Sequence, residues 1–240
     1  MKIVLVIYLC VSLLNGVLAN RAFAESSGGG SIYFQPYLGT EFPLGWTAGG
    51  RVQLAQYPIY LRGGMGGFIG AYTDAMNSIA ESMGFYDSNT STLVKESLDG
   101  ATFTELGVGY ANASGEGWLF ELAYNKSVGE GQVTGQELLT AITGISVGSA
   151  SNEYSIDGEI ESYKLTAGYA WTIEGSWKFL LSGGLIKPFT SKTNIDRPTS
   201  GPVQEAILQA ANRDVDDYMN DVYTQDVIIP FIGATVGYGF

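Results

Sequence analysis

From Ile32 onward apolar and polar residues alternate with a period of two, the spacing of a strand whose two faces meet different surroundings. The clearest case is the end of the chain. Ile228, Pro230, Ile232, Ala234, Val236, Tyr238 and Phe240 fall on one face, and Phe231, Gly233, Thr235, Gly237 and Gly239 on the other. Trp118, Phe120, Leu122 and Tyr124 alternate with Leu119, Glu121, Ala123 and Asn125 in the same way. Followed along the chain, the alternation predicts eight strands. They cover Ile32–Thr40, Trp46–Gln56, Ile59–Tyr72, Ala101–Asn112, Trp118–Ser127, Glu159–Trp171, Ser176–Phe189 and Val227–Phe240. Most have the length a tilted strand needs to cross a bilayer.

The connections alternate too. Tyr57-Pro58, Ala113–Gly117 and Thr172–Gly175 read as tight turns, whereas Thr73–Gly100, Val128–Gly158 and Thr190–Asp226 are long, with Glu41–Gly45 the short member of that set. Strand, loop, strand, turn, repeated to an even count, predicts an all-β fold, an eight-stranded antiparallel up-and-down transmembrane β-barrel. Its short turns and both termini face the periplasm. Trp118, Trp171 and Trp177 stand beside the short turns, where an interfacial aromatic girdle belongs. A soluble barrel of lipocalin type would turn its apolar face inward. Here one face is continuous and aromatic while the other holds glycines and isolated charges, the inverted order of a lipid-embedded barrel.

On this architecture and on the Tyr238-x-Phe240 ending, the chain resembles the small eight-stranded bacterial outer-membrane barrels of the OmpA and OmpX types. In that family the terminal aromatic pattern is what the barrel assembly machinery reads, so the resemblance assigns that role to Tyr238 and Phe240. The resemblance extends over nearly all of the chain past the leader, and no family motif marks the loops.

The first residues read as an address. Met1-Lys2, the apolar run Ile3 to Leu14 and Ala22-Phe23-Ala24 follow the plan of a cleaved secretion signal. The expected organisation is a signal over 1–24, a flexible lead-in over 25–31 and a barrel over 32–240. The single cysteine, Cys10, lies within the signal. The chain carries 12 Lys and Arg against 24 Asp and Glu, a formal charge of −12, and loss of Lys2 and Arg21 takes this to −12 − 2 = −14. So acidic a chain lacks the basic face that phosphate contacts require, which argues against nucleic acid as a partner.

The inward register collects Arg51, Arg62, Glu105, Glu121, Lys164 and Lys178. An isolated charge in a narrow lumen is costly, so residues of both signs imply a paired network. Eight strands leave room for little more than side chains. A solid polar plug is the expected arrangement; the alternative is a gate whose pairs exchange partners and pass small solutes.

Chemistry is sparse. There is no histidine, and so no imidazole base for a hydroxyl nucleophile, and no thiol past the signal. We therefore expect no enzyme, no cofactor and no metal centre. Gly63-Gly64-Met65-Gly66-Gly67 lacks the Lys-Ser/Thr of a phosphate loop and reads as close-packed strand. The long loops are acidic. Thr190–Asp226 has helical character over Pro202 to Tyr223, and Asp214, Asp216, Asp217, Asn220 and Asp221 cluster oxygen ligands of the kind Ca²⁺ takes. A solvated acidic face is the favoured reading of that cluster. The expected partners are outer-membrane lipids and lipopolysaccharide, the assembly machinery, and an extracellular ligand met by the loops, as in adhesin-like small barrels. The competing expectation is a narrow passive channel of porin-like kind.

Overall fold

The alternating segments form strands whose ladder of hydrogen bonds closes on itself. The computed structural model describes residues 32–54, 57–82, 100–112, 115–134, 153–196 and 228–239. Eight strands, β1 (Ile32–Phe42), β2 (Gly45–Leu54), β3 (Ile59–Phe68), β4 (Thr102–Ala111), β5 (Gly117–Thr134), β6 (Glu153–Glu174), β7 (Trp177–Asp196) and β8 (Ile229–Tyr238), pair antiparallel in chain order. β8 returns to β1, with Tyr37 opposite Gly237 and Glu41 opposite Gly233. Closure leaves no sheet edge around the belt, so every backbone donor there can be met from a neighbouring strand.

Registers run so that one parity faces inward along each strand, β7 changing parity at a bulge near its upper end. On β4 the burial alternates without a break, with Phe103, Glu105, Gly107, Gly109 and Ala111 buried and their neighbours exposed. The exposed set is apolar. Leu106, Val108, Leu122, Leu165, Leu181, Leu185, Ile232 and Val236 all point outward. Within the described residues no helix is long and apolar enough to cross a membrane; the crossing elements are strands.

Aromatic rings bound this belt at both rims. At the end of the short turns, Trp118 meets Tyr169 edge to face at 5.5 Å, Tyr169 lies 4.8 Å from Trp171, and Trp171 stacks on Phe179 at 5.8 Å. Trp177 meets Tyr238 at 5.1 Å, which extends the girdle to the last strand. At the opposite rim Phe189 stacks on Tyr163 at 4.5 Å and approaches Tyr124 at 6.3 Å. A register shift between Glu161 and Ser162 leaves Phe189 without a ladder partner, which lets its ring turn outward. From Trp171 to Tyr163 the strand covers about 26 Å at the usual rise. With an ordinary barrel tilt this spans roughly 20 Å of membrane normal.

Several boundaries differ from the sequence expectation. β3 stops at Phe68 rather than Tyr72, and helix α1 (Gly70–Ser82) follows where strand end and loop were expected. Its first turn is pinned where the Ile69 carbonyl accepts from the Tyr72 and Thr73 amides at 2.7 and 3.1 Å. Tyr72 packs on Phe42 at 5.4 Å. β1 continues to Phe42 and so takes in Glu41, which was expected in the short loop Glu41–Gly45. β5 extends to Thr134, β6 begins at Glu153 and β7 runs to Asp196, so the ends of two expected long loops belong to strands that outreach β4 and β8. The expected signal and lead-in, the stretch 202–223 expected to be helical, the oxygen cluster at 214–221 and Phe240 lie outside the described residues.

An outward position at mid-belt should tolerate no charge. Leu165→Arg is expected to lower the unfolding free energy in lipid bilayers by about 2–4 kcal/mol. Denaturant titration of the folded barrel in vesicles measures it; a change within about 0.5 kcal/mol, the neutral range for surface sites, would place Leu165 in water.

Candidate functional site

Five of the barrel's buried charges meet in the middle of the lumen. Arg62, from β3, spreads its guanidinium over three carboxylates. Nη1 donates to Glu121 Oε1 at 2.9 Å, Nη2 lies 2.9 Å from Glu105 Oε1 in an ion-pair approach and 3.4 Å from Glu41 Oε1. Its Nε donates to the Tyr37 hydroxyl at 2.8 Å. Lys164, from β6 and wholly buried, donates to Glu41 Oε2 at 2.5 Å and Glu105 Oε2 at 2.6 Å. The remaining oxygen of Glu121 accepts from the Tyr60 hydroxyl at 2.9 Å. Glu41 and Glu105 each bridge both cations, so the network ties β1, β3, β4, β5 and β6 across the lumen.

Local sequence makes room for this. A Cβ on Gly49 or Gly64 would strike the Tyr37 hydroxyl, and one on Gly109 would strike the Tyr60 ring. Gly233 leaves space for the Glu41 side chain in the same manner. The inward glycines are thus the complement of the long polar side chains opposite them, and the glycine-rich β3 supplies clearance instead of a phosphate loop.

Apolar residues cover the network from above and below. At the extracellular end Leu44, Phe103, Ile186 and Phe231 form a buried cluster, with Phe68 and Ile229 packed against it. Toward the periplasm Tyr60, Ala111, Leu119, Ala170 and Leu180 form a second. Lys164 Nζ lies 4.7 Å from the centre of the Phe231 ring, and Arg62 sits 4.6 Å over Tyr37. Low-dielectric layers on both sides strengthen each ion pair and raise the cost of losing a partner.

Of the six charges the sequence places inward, all are buried, but they do not form one group. Arg62, Glu105, Glu121 and Lys164 meet in the network. Arg51 and Lys178 lie nearer the periplasm, Arg51 stacked 4.3 Å over the Tyr60 ring and Lys178 5.4 Å from that of Tyr33. Glu41 completes the centre. Its parity, continuing the inward series Tyr33, Gln35, Tyr37 and Gly39, was the signal that could have found it. Tyr238 is the last residue of β8, opposite Trp177, with its ring in the periplasmic girdle. Among the described residues no group of His, Cys, Asp and Glu is placed to hold a metal ion.

A closed barrel with an apolar, girdled exterior and a polar, glycine-lined interior is a transmembrane barrel of the bacterial outer membrane. No family model and no curated protein matches the sequence. Among solved structures the chain is similar to a major outer membrane protein from Thermus thermophilus, at 11% identity and a TM-score of 0.48, over 88% of this chain and 100% of that one. It is also similar to CarO of Acinetobacter baumannii, at 14% identity and a TM-score of 0.32, over 87% of this chain and 97% of that one.

Removing one partner should expose the cost of the others. Lys164→Met leaves Glu41 and Glu105 facing each other and is expected to destabilise the barrel by about 3–5 kcal/mol. Adding Glu105→Gln to that variant should recover part of the loss. A double-mutant cycle in denaturant reads the coupling; additive single effects would mean that the two groups do not interact.

Proposed function

We propose that this chain is a non-enzymatic, non-conducting outer-membrane barrel of the small OmpA or OmpX kind, a rigid frame that holds surface loops against an extracellular partner. The observation that carries this reading is the closed centre of the lumen: five buried charges, satisfied mainly by one another and enclosed between two apolar layers. A conducting path would have to break several of those contacts at once. The chemistry agrees. The chain has no histidine, and the buried carboxylates are held by cations and by Tyr60.

The outer surface supports contact with lipid headgroups and lipopolysaccharide. Just above the Tyr124, Tyr163 and Phe189 rim the exterior becomes charged, with Lys126 paired to Glu159 at 2.8 Å and Lys192 opposite Glu159 on β7. Headgroup phosphates and their bridging cations lie at that height in such a membrane. The adhesin-like part of the proposal belongs to the acidic segments between strands. Recognition by the assembly machinery through Tyr238 and Phe240 is part of the same reading.

The competing reading is a narrow channel gated by partner exchange. Its physical basis is the excess of acceptors, three carboxylates around two cations, which gives Lys164 and Arg62 alternative partners. Planar-bilayer conductance of the refolded protein separates the two. A plugged barrel gives no steady openings, and none appear in Glu105→Gln or Glu121→Gln. Reproducible wild-type openings whose size or frequency changes with those substitutions would overturn the plug and establish the gate.

A further inference from the structure

Helix α1 leaves β3 beside the tip of the β1–β2 hairpin, where the Ile69 amide donates to the Leu44 carbonyl at 3.3 Å. Its first turn is fastened to the outer side of β1. Tyr72 meets Phe42 edge to face at 5.4 Å, and its hydroxyl shares a 3.3 Å hydrogen bond with Thr40 Oγ1. Thr40 and Phe42 continue the outward parity of β1 that runs through the exposed Leu38. Trp46, opposite Thr40 on β2, is exposed as well, with its indole against Gly67. The helix thus begins on the lipid-facing wall, among aromatic residues of the kind that mark a membrane interface.

At about 100° per residue α1 presents three faces. Thr73 and Asn77 form one and are buried, although both are polar. Asp74, Ser78 and Glu81 form the second, exposed and polar. Tyr72, Ala75 and Ile79, spaced i, i+3 and i+7, form the third, about 130° round from the second. Ile79 is 51% exposed, Ala75 is partly so, and the neighbouring Ala71 is exposed. A helix on a water-facing surface buries its apolar stripe and shows its polar one. Here the stripe is left uncovered while a polar pair is buried.

The occupant of that stripe follows from where it starts. Tyr72 is its first member and touches the wall that lipid covers, so the stripe continues that wall along the helix. The acids and the serine lie on the side turned away from it. The helix carries no basic residue, so charge gives it nothing to offer anionic headgroups, and contact with lipid rests on the stripe. We propose that α1 is an interfacial helix of the outer leaflet. Tyr72, Ala75 and Ile79 rest on the boundary between acyl chains and headgroups, Asp74, Ser78 and Glu81 face water, and Thr73 and Asn77 face protein. The partner is the lipid surface itself, and the proposal needs neither a sealed lumen nor an extracellular ligand.

A site-specific fluorophore read by lipid-borne quenchers tests this. Cys10, the single cysteine of the chain, is replaced by serine. The environment-sensitive dye NBD is then attached at Ile79→Cys or, in a separate protein, at Ser78→Cys, and each is folded into phosphatidylcholine vesicles. The Ile79 label should emit to the blue of the Ser78 label. A nitroxide carried near the headgroup end of the acyl chain should quench it severalfold more than it quenches the Ser78 label, and more than a nitroxide near the chain terminus does. A label at Ala75→Cys should repeat the Ile79 result, and it takes that place if Ile79→Cys does not fold. Water-like emission at 79 and 75, with no quenching, would overturn the proposal. So would blue-shifted emission that lipid nitroxides leave unquenched, which would put the stripe against protein, either another part of the chain or a second copy.

Discussion

The cost of enclosing charge in a narrow lumen is the constraint on which the rest of this structure depends. Arg62 and Lys164 can be buried only because three carboxylates meet them from three other strands at ion-pair distance. An ion of this size taken from water without a partner costs several kcal/mol even after relaxation. Each pair is therefore also a register pin. A one-residue slip of any of the five strands would carry its charged side chain out to lipid and strand its partner inside.

The exterior and interior solve opposite halves of one problem. Lipid offers nothing to a polar group, so the outward parity is filled with Leu, Val, Ile and aromatic residues. Inside, the cylinder must be filled to native density without voids. Tyr37 and Tyr60 fill it over Gly49, Gly64 and Gly109, and an apolar cluster lies at each end of the ion network. The abundance of glycine is thus a packing requirement of long side chains facing one another across a small barrel. The periplasmic end departs from this economy. Arg51 rests on the Tyr60 ring and reaches the Gln35 side-chain oxygen at a long 3.5 Å.

Strand count, closure, face assignment and the inward placement of Arg51, Arg62, Glu105, Glu121, Lys164 and Lys178 were legible in the sequence because lipid on one side and a filled lumen on the other enforce a period of two. The signal fades where that enforcement ends. Val128 to Thr134 reads as loop, with Gly129 and Gly131 on one parity and Glu130, Gln132 and Thr134 on the other, yet it pairs with Glu153 to Glu159. Above the upper aromatic rim a strand needs no apolar face, so its sequence carries no alternation. Glu41 was hidden for a related reason. It stands beside Phe42-Pro43 at the tip of a hairpin, where turn residues mask the inward series that it completes. Helix α1 was hidden by the run Ile69-Gly70-Ala71-Tyr72, whose apolar content passes equally for the end of a strand or the first turn of a helix.

The most direct test of a filled and sealed lumen is the reactivity of Lys164 toward a small water-soluble acylating reagent, read by mass spectrometry of the protein folded in bilayers. Lys126, on the outer rim and partly exposed, is the internal reference. A lumen closed by the ion network leaves Lys164 unmodified while Lys126 reacts, and Lys164 becomes reactive only on unfolding. Acylation of both at similar rates in the folded protein would show water and solute reaching the centre of the barrel, and the network would then be a wet, open one.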